Sequence, residues 1–307
     1  MSPAVRAIRR GLAWAALSGA TGCILQGVLP FAPMREVPNK IENPVREDAR
    51  LAVLWVGHAT TLVQMDDKII LTDPVFTSTV GQLSKRLIEP GLEAKNVPRV
   101  DAVLISHLHF DHLSLGSLEM LEKRIKRLYL PEGGTVYVPD FAFPTTELRT
   151  WEARAEDGLA VTAVPVRHVG WRYGADQAWM TKSFTGYVLQ YHGLTVYYGG
   201  DTGYEAESFR AAAARFPSID LAILPIGPVN PRAVMQHNHE DPEEAVQAFL
   251  DLGARWMVPI HYDTFINSVD APGEALVHLD QAMHDKGLTR ERIAVLAIGQ
   301  QRVFVSR

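Results

Sequence analysis

The chain has 307 residues, is 47% hydrophobic and carries a net charge of −5 at pH 7. That length and apolar content suffice for a large buried core, and the acidic balance argues against nucleic acid as the main partner. Its single cysteine, Cys23, does not choose between a reducing and an oxidising compartment.

In chain order, the N-terminus carries Arg6, Arg9 and Arg10 ahead of an uncharged stretch from Gly11 to Met34, the pattern of an export signal. Within it, Ala20-Thr21-Gly22-Cys23 resembles a bacterial lipoprotein signal, whose cysteine is lipidated and becomes the new N-terminus. An uncleaved membrane anchor is the alternative, weakened by Pro30 and Pro33. Residues 1–33 are assigned to the signal or anchor, 34–49 to a tether rich in proline and charge, and 50–307 to one folded domain. The expected location is therefore exported and membrane-anchored, at the cell envelope or outer membrane.

The apolar run Asp101-Ala102-Val103-Leu104-Ile105 reads as a buried strand delivering Ser106-His107-Leu108-His109-Phe110-Asp111-His112. His107 and His109 are two apart, so at an extended strand end they project to one side and can close on one cation. Asp111 and His112 follow once the backbone has turned and can aim at a second. Left without a common partner, so many polar groups at the mouth of a buried strand would be costly. Imidazole and carboxylate ligands suit zinc, with manganese and iron allowed. A helix is expected from Leu115 to Ile125.

Later strand ends offer further ligands. His168 follows Val161-Thr162-Ala163-Val164-Pro165-Val166, Asp201 follows Leu194-Thr195-Val196-Tyr197-Tyr198-Gly199-Gly200, and His261 ends Trp256-Met257-Val258-Pro259-Ile260. Each recurs in the same setting, the C-terminal edge of an apolar strand, where α/β folds place their sites. Two lobes are expected to meet near residues 165–185, where Trp171, Tyr173 and Trp179 lie in a stretch of low periodicity. Phe184–Gln190 and Thr195–Tyr198 read as a hairpin around Tyr191-His192-Gly193-Leu194, which leaves His192 exposed and inert. His239 precedes a helix start with Asp241 as N-cap, Pro242 at the first position, Glu244 closing a capping box and Gly253 as the stop after Leu252. A last helix is expected from Gly273 to Lys286, stopped by Gly287.

The H-x-H-x-D-H run, His168, the Gly200-Asp201-Thr202-Gly203 turn and Pro259-Ile260-His261 together resemble the ligand motifs of the metallo-β-lactamase fold superfamily, in order, across about residues 50 to 305. The resemblance implies a four-layer αβ/βα sandwich with a dinuclear site at one edge. It implies that His107, His109 and His168 hold one metal, that Asp111, His112 and His261 hold the other, and that Asp201 bridges two Zn²⁺. The β-lactamases with a cysteine ligand do not fit, because Cys23 is far from every motif. The di-iron redox branch carries an acidic residue where His109 stands.

Further segments are similar to the N-acylphosphatidylethanolamine-hydrolysing phospholipase D family: Trp55-Val56-Gly57-His58-Ala59-Thr60, Leu71-Thr72-Asp73-Pro74-Val75-Phe76, Gly200-Asp201-Thr202-Gly203-Tyr204, Pro225-Ile226-Gly227, Pro231-Arg232 and His239-Glu240-Asp241-Pro242-Glu243-Glu244-Ala245-Val246. The lactonases acting on ascorbate phosphate share part of this pattern. The resemblance implies a phosphodiesterase acting on an anionic phospholipid at a membrane surface, with a lactone or ester hydrolase and a non-catalytic envelope lipoprotein as alternatives. Two divalent cations carry more positive charge than Asp111 and Asp201 remove, which suits a phosphodiester. Asp111, Asp201 and His239 are the candidate catalytic residues, His239 as a phosphate contact or proton donor to the leaving alkoxide. Tyr204 and Arg232 are candidate substrate contacts, and so is His58, which could equally support the ligands or hold its turn.

Overall fold

The computed structural model describes residues 33–38, 40–81, 84–173 and 183–307. The expected export signal with Cys23 lies outside the described residues, as does Trp179. Among the described residues no helix is long and apolar enough to cross a membrane.

The chain opens as an antiparallel meander of β1 (Ala49–Gly57), β2 (Thr60–Met65) and β3 (Lys68–Thr72). A small ribbon, β4 (Thr79–Val80) and β5 (Ser84–Lys85), leads into β6 (Ala102–Leu104), β7 (Leu128–Pro131) and β8 (Thr145–Leu148), each parallel to its predecessor in the sheet. The last strand, β15 (Gln301–Ser306), returns to pair with β1 and completes the order β15-β1-β2-β3-β6-β7-β8. The second sheet comprises β9 (Ala153–Glu156), β10 (Leu159–Val164), β11 (Gly186–Tyr191), β12 (Leu194–Tyr198), β13 (Leu221–Pro225) and β14 (Trp256–Ile260), in the order β14-β13-β12-β11-β10-β9.

Side-chain alternation explains why the two sheets stack. In β1, Leu51, Val53 and Trp55 enter the core between the sheets together with Val161, Tyr187 and Val196, whereas Leu54 and Val56 face the opposite side. That outer side is covered by α1 (Leu115–Leu121) through Leu118 and Leu121. The second sheet is covered by α2 (Ala206–Arg215), α4 (Pro242–Leu252) and α5 (Glu274–Asp285), with the short α3 (Arg232–Met235) beside them; Phe209, Val246, Phe249 and Leu279 supply the contact. Helix, sheet, sheet and helix make a four-layer α/β sandwich. Strands buried on both faces read as continuous apolar runs.

Local signals act as expected at several ends. Asp241 accepts from Glu244 N while the Glu244 side chain returns to Asp241 N, Pro242 opens α4 and Gly253 closes it at φ +62°. His192 and Gly193 both have positive φ, as a two-residue primed hairpin turn requires. The helix expected from Leu115 to Ile125 is α-helical only to Leu121 and continues as a 3-10 turn over Glu122–Arg124. The boundary between sheets falls after β8, at residues 149–152, and not near 165–185. The latter stretch lies between β10 and β11, which are antiparallel neighbours in one sheet. Residues 35–38 and 40–48 are laid along the domain: Glu89 N donates to Arg35 O, Lys40 pairs with Glu89 at 2.7 Å, and Arg46 N donates to Gln64.

Candidate metal centre

The C-terminal ends of β1, β3, β6, β10, β12, β13 and β14 converge on one edge, carrying respectively His58, Asp73, His107, His168, Asp201, Gly227 and His261. The loop after β6 adds His109, Asp111 and His112. Gly200 makes this convergence possible. It adopts φ +60°, and a Cβ there would lie 2.3 Å from Ser106 Cβ, so only glycine lets the Asp201 turn approach the loop from the other sheet.

Two clusters meet at Asp201. In the first, His107 Nε2 is 2.8 Å and His168 Nε2 3.4 Å from His109 Nδ1. In the second, His112 Nε2 is 3.3 Å from His261 Nε2, and Asp111 Oδ2 lies 3.8 Å and 4.0 Å from those two nitrogens. Asp201 Oδ1 sits 3.1 Å from His261 Nε2, while Asp201 Oδ2 is 3.3 Å from His112 Nε2 and 4.0 Å from His107 Nε2. The structure thus brings His107, His109, Asp111, His112, His168, Asp201 and His261 to one place.

The outer nitrogens decide which face of each ring is basic. His168 Nδ1 donates to Asn238 O at 2.9 Å and His261 Nδ1 to Gly227 O at 3.0 Å. His112 Nδ1 donates to Asp73 Oδ2 at 2.6 Å. Ser106 Oγ donates to Asp73 Oδ2 at 2.5 Å, so at 3.0 Å it accepts from His107 Nδ1. The rings of His107, His168 and His261 therefore each present an Nε2 lone pair inward, and His112 turns its Nε2 to the same place. His112 Nε2 and His261 Nε2, 3.3 Å apart, need a proton or a metal cation between them. Asp201 Oδ1 and His239 Nδ1 are buried without a hydrogen bond, a cost that a buried polar group avoids only by finding a partner. The donor set fits a pair of divalent cations, one on His107/His109/His168 and one on Asp111/His112/His261, with Asp201 between. Nitrogen and oxygen donors without sulfur match zinc and equally admit manganese or iron.

Electrostatics agree. Burial pushes His107 and His168 well below the usual imidazole range and lowers His109 too, so these rings are neutral and ligand-competent near pH 7. Burial opposes ionisation of Asp111 and Asp201, yet the neighbouring histidines, His112 foremost, hold both carboxyls far below their ordinary range. His112 is raised against burial by Asp201, Asp73 and Asp111. An excess of carboxylates around one ring is a cation site by charge alone.

The remaining candidates lie as follows. His239 stands at the mouth, its Nδ1 3.6 Å from Asp201 Oδ2 and its ring 5.2 Å from His168; burial lowers its pKa to about 4. His58 is 1% exposed, with Nε2 3.1 Å from Asp111 Oδ2. Tyr204 donates to Asp251 at 2.6 Å, away from the clusters. The Arg232 guanidinium donates to His239 O at 2.9 Å and pairs with Glu244 and Asp241, so it holds the turn before α4. Sequence reasoning did not single out Asp73, although it ends β3 at the same edge and obeys the strand-end rule that found Asp201. It also missed Arg172, which donates from Nη1 to Leu108 O at 2.9 Å and Leu113 O at 3.0 Å, bracing the ligand loop from outside. Trp171 beside it packs edge-on to His109 at 4.9 Å.

Comparison with known proteins places this arrangement. The model of the beta-lactamase superfamily domain matches residues 68–262. An uncharacterised protein of Mycobacterium tuberculosis is 34% identical over 88% of this chain and 73% of its own length. The N-acyl-phosphatidylethanolamine-hydrolyzing phospholipase D 1 of Caenorhabditis elegans is 28% identical over 79% of this chain and 70% of its own. Among solved structures, a metallo hydrolase from Ignicoccus hospitalis superposes with a TM-score of 0.60 at 23% identity, over 82% of this chain and 97% of that one. At this identity the superposition speaks for the fold. The chain belongs to the β-lactamase superfamily: it is a metal-dependent hydrolase of the metallo-β-lactamase fold, resembling the N-acylphosphatidylethanolamine-hydrolysing phospholipases D.

Proposed function

We propose that the protein is a dinuclear zinc phosphodiesterase that hydrolyses N-acylphosphatidylethanolamine-like phospholipids at a membrane surface. The observation that carries this reading is the pair of inward-facing donor clusters joined at Asp201. Bound cations would supply Lewis acidity, polarising a phosphoryl oxygen and lowering the pKa of a water toward about 7. Asp111 and Asp201 are held ionised and can orient that water by accepting a hydrogen bond from it at a carboxylate oxygen. His239, neutral at pH 7 and open at the mouth, is placed to donate a ring N–H hydrogen bond to the departing headgroup oxygen, which takes its proton from water.

The rim supports an apolar substrate. Trp171 is 39% and Tyr173 64% exposed, Tyr173 packs on Phe110 at 5.7 Å and on Tyr137 at 5.9 Å, and Val136 is 76% exposed. This surface beside a metal site suits acyl chains. The basic and apolar N-terminus fits the same picture, as an export signal with Cys23 lipidated and the enzyme tethered at the cell envelope. The activity in the name of the C. elegans relative points the same way.

A lactone or ester hydrolase on the same site is the second reading. It is favoured by the engagement of Arg232 with Glu244, Asp241 and His239 O, which leaves a phosphate without that cationic clamp. The deciding experiment incubates the zinc-loaded protein with N-acylphosphatidylethanolamine in mixed micelles beside a His109→Ala variant. Release of phosphatidic acid and an N-acylethanolamine by the former alone, seen by mass spectrometry, establishes the phospholipase reading. No release from protein holding two metals transfers the reading to lactones.

A further inference from the structure

His58 occupies an unusual position for a histidine outside the two ligand clusters. It turns the chain from β1 into β2 with φ +55°, a left-handed conformation that only a few per cent of residues other than glycine adopt. Three hydrogen bonds keep it there. Trp55 Nε1 donates to His58 O at 2.9 Å, Thr264 Oγ1 accepts from His58 N at 2.8 Å, and His261 N donates to His58 O at 3.1 Å. Backbone strain that surrounding contacts overdetermine is characteristic of functional positions.

The ring is held as firmly as the backbone. It lies 4.0 Å from the His261 ring and meets Phe265 edge-on at 5.1 Å. Its Nε2 is 3.1 Å from Asp111 Oδ2, the oxygen that faces His112 and His261. One atom each from His58, Asp111, His112 and His261 lie within 4.8 Å of one another. Asp111 is the one partly exposed member of that group, with 24% of its side chain open against at most 1% for the three histidines, so it gains most from a fixed partner.

We propose that His58 is the positioning residue of the Asp111/His112/His261 site: its Nε2–H donates to Asp111 Oδ2, fixes that carboxylate toward the second cation and thereby sets the occupancy of this site alone. A ligand's hydrogen-bonded partner typically governs metal affinity by about 10–100-fold. The first cluster, on His107, His109 and His168, has no contact with His58 and is left unchanged. The inference rests on the dinuclear reading above.

The test counts zinc bound to the full-length protein across a chelator-buffered zinc series, with His58→Asn and His58→Gln beside the wild type. Asparagine tolerates the left-handed backbone but is too short to reach Asp111. Glutamine places its amide nitrogen near the position of the imidazole Nε2 and keeps the donor. The expected result is two equivalents in the wild type, one unchanged and one weakened about 10–100-fold in His58→Asn, and near recovery of both in His58→Gln. Should His58→Asn fail to fold, His58→Gln decides alone: two equivalents support the donor role, and one overturns it. Two tight equivalents in folded His58→Asn overturn the role of His58 while the dinuclear site stands. A wild type that binds a single equivalent overturns the dinuclear reading and this inference together.

Discussion

Asp73 shows how much of the centre is decided by a residue that touches no cation. Its side chain is fully buried and accepts from Ser106 N at 2.7 Å, Ser106 Oγ at 2.5 Å, Tyr198 OH at 2.5 Å and His112 Nδ1 at 2.6 Å. One carboxylate thus joins both sheets and fixes the His112 ring. Asp73→Asn replaces an acceptor oxygen by an NH₂ that cannot accept from His112 or Tyr198. It should lower metal affinity about 10–100-fold and destabilise the fold by about 1–3 kcal/mol, the cost of stranding buried donors. Zinc competition and denaturant titration measure the two effects, and a variant equal to wild type in both would refute this account. The inner ligands were legible because three histidines and an aspartate within six residues have few other uses. Asp73 was not, because an aspartate before a proline reads equally well as a turn.

At the scale of elements, legibility follows the locality of the cause. α4 could be bounded from sequence because its start and stop are local chemistry: the Asp241 cap, Pro242, Glu244 and Gly253. Arg232 adds a tertiary layer by bonding Glu244 and His239 O, which ties the cap to the turn that presents His239. Asp241→Ala should therefore cost about 1 kcal/mol through the lost cap, read as a lower denaturant midpoint, with zinc affinity unchanged since Arg232 still holds His239 O and with it the turn. A loss of zinc binding would show that the turn couples to the ligands. The loop near 165–185 resembles a junction between lobes in the sequence for the opposite reason. Arg172 is held at long range, by bonds to Leu108 O and Leu113 O across the fold, and periodicity carries no trace of such a contact.

The whole molecule encloses an unusual number of neutral imidazoles, and its stability must follow pH accordingly. Burial holds His58 at about 3 and His239 at about 4, and keeps His107, His109 and His168 below the ordinary value of about 6.5. In the metal-free protein, as pH falls below about 6.5, the unfolded chain binds protons that these folded rings refuse. Stability then declines with falling pH, because it rises with pH wherever the unfolded state holds more protons. Asp111 and Asp201, with depressed folded values, add losses of the same sign below about pH 4, where the unfolded carboxyls take up protons that the folded ones refuse. His112 opposes this, since its raised folded value favours the native state under acid, but it stands alone against five rings and two carboxylates. Zinc binds the same deprotonated rings in the folded state only, so it raises stability most near neutrality and progressively less as protons compete. Thermal melts from about pH 7.5 to about pH 5 should therefore show a Tm that falls with acidification in the presence of chelator, and a gap between zinc-loaded and chelated protein that narrows over the same range. A chelated protein whose Tm rises on acidification would mean that the buried rings are charged in the fold, and with that the case for their inward lone pairs would be lost.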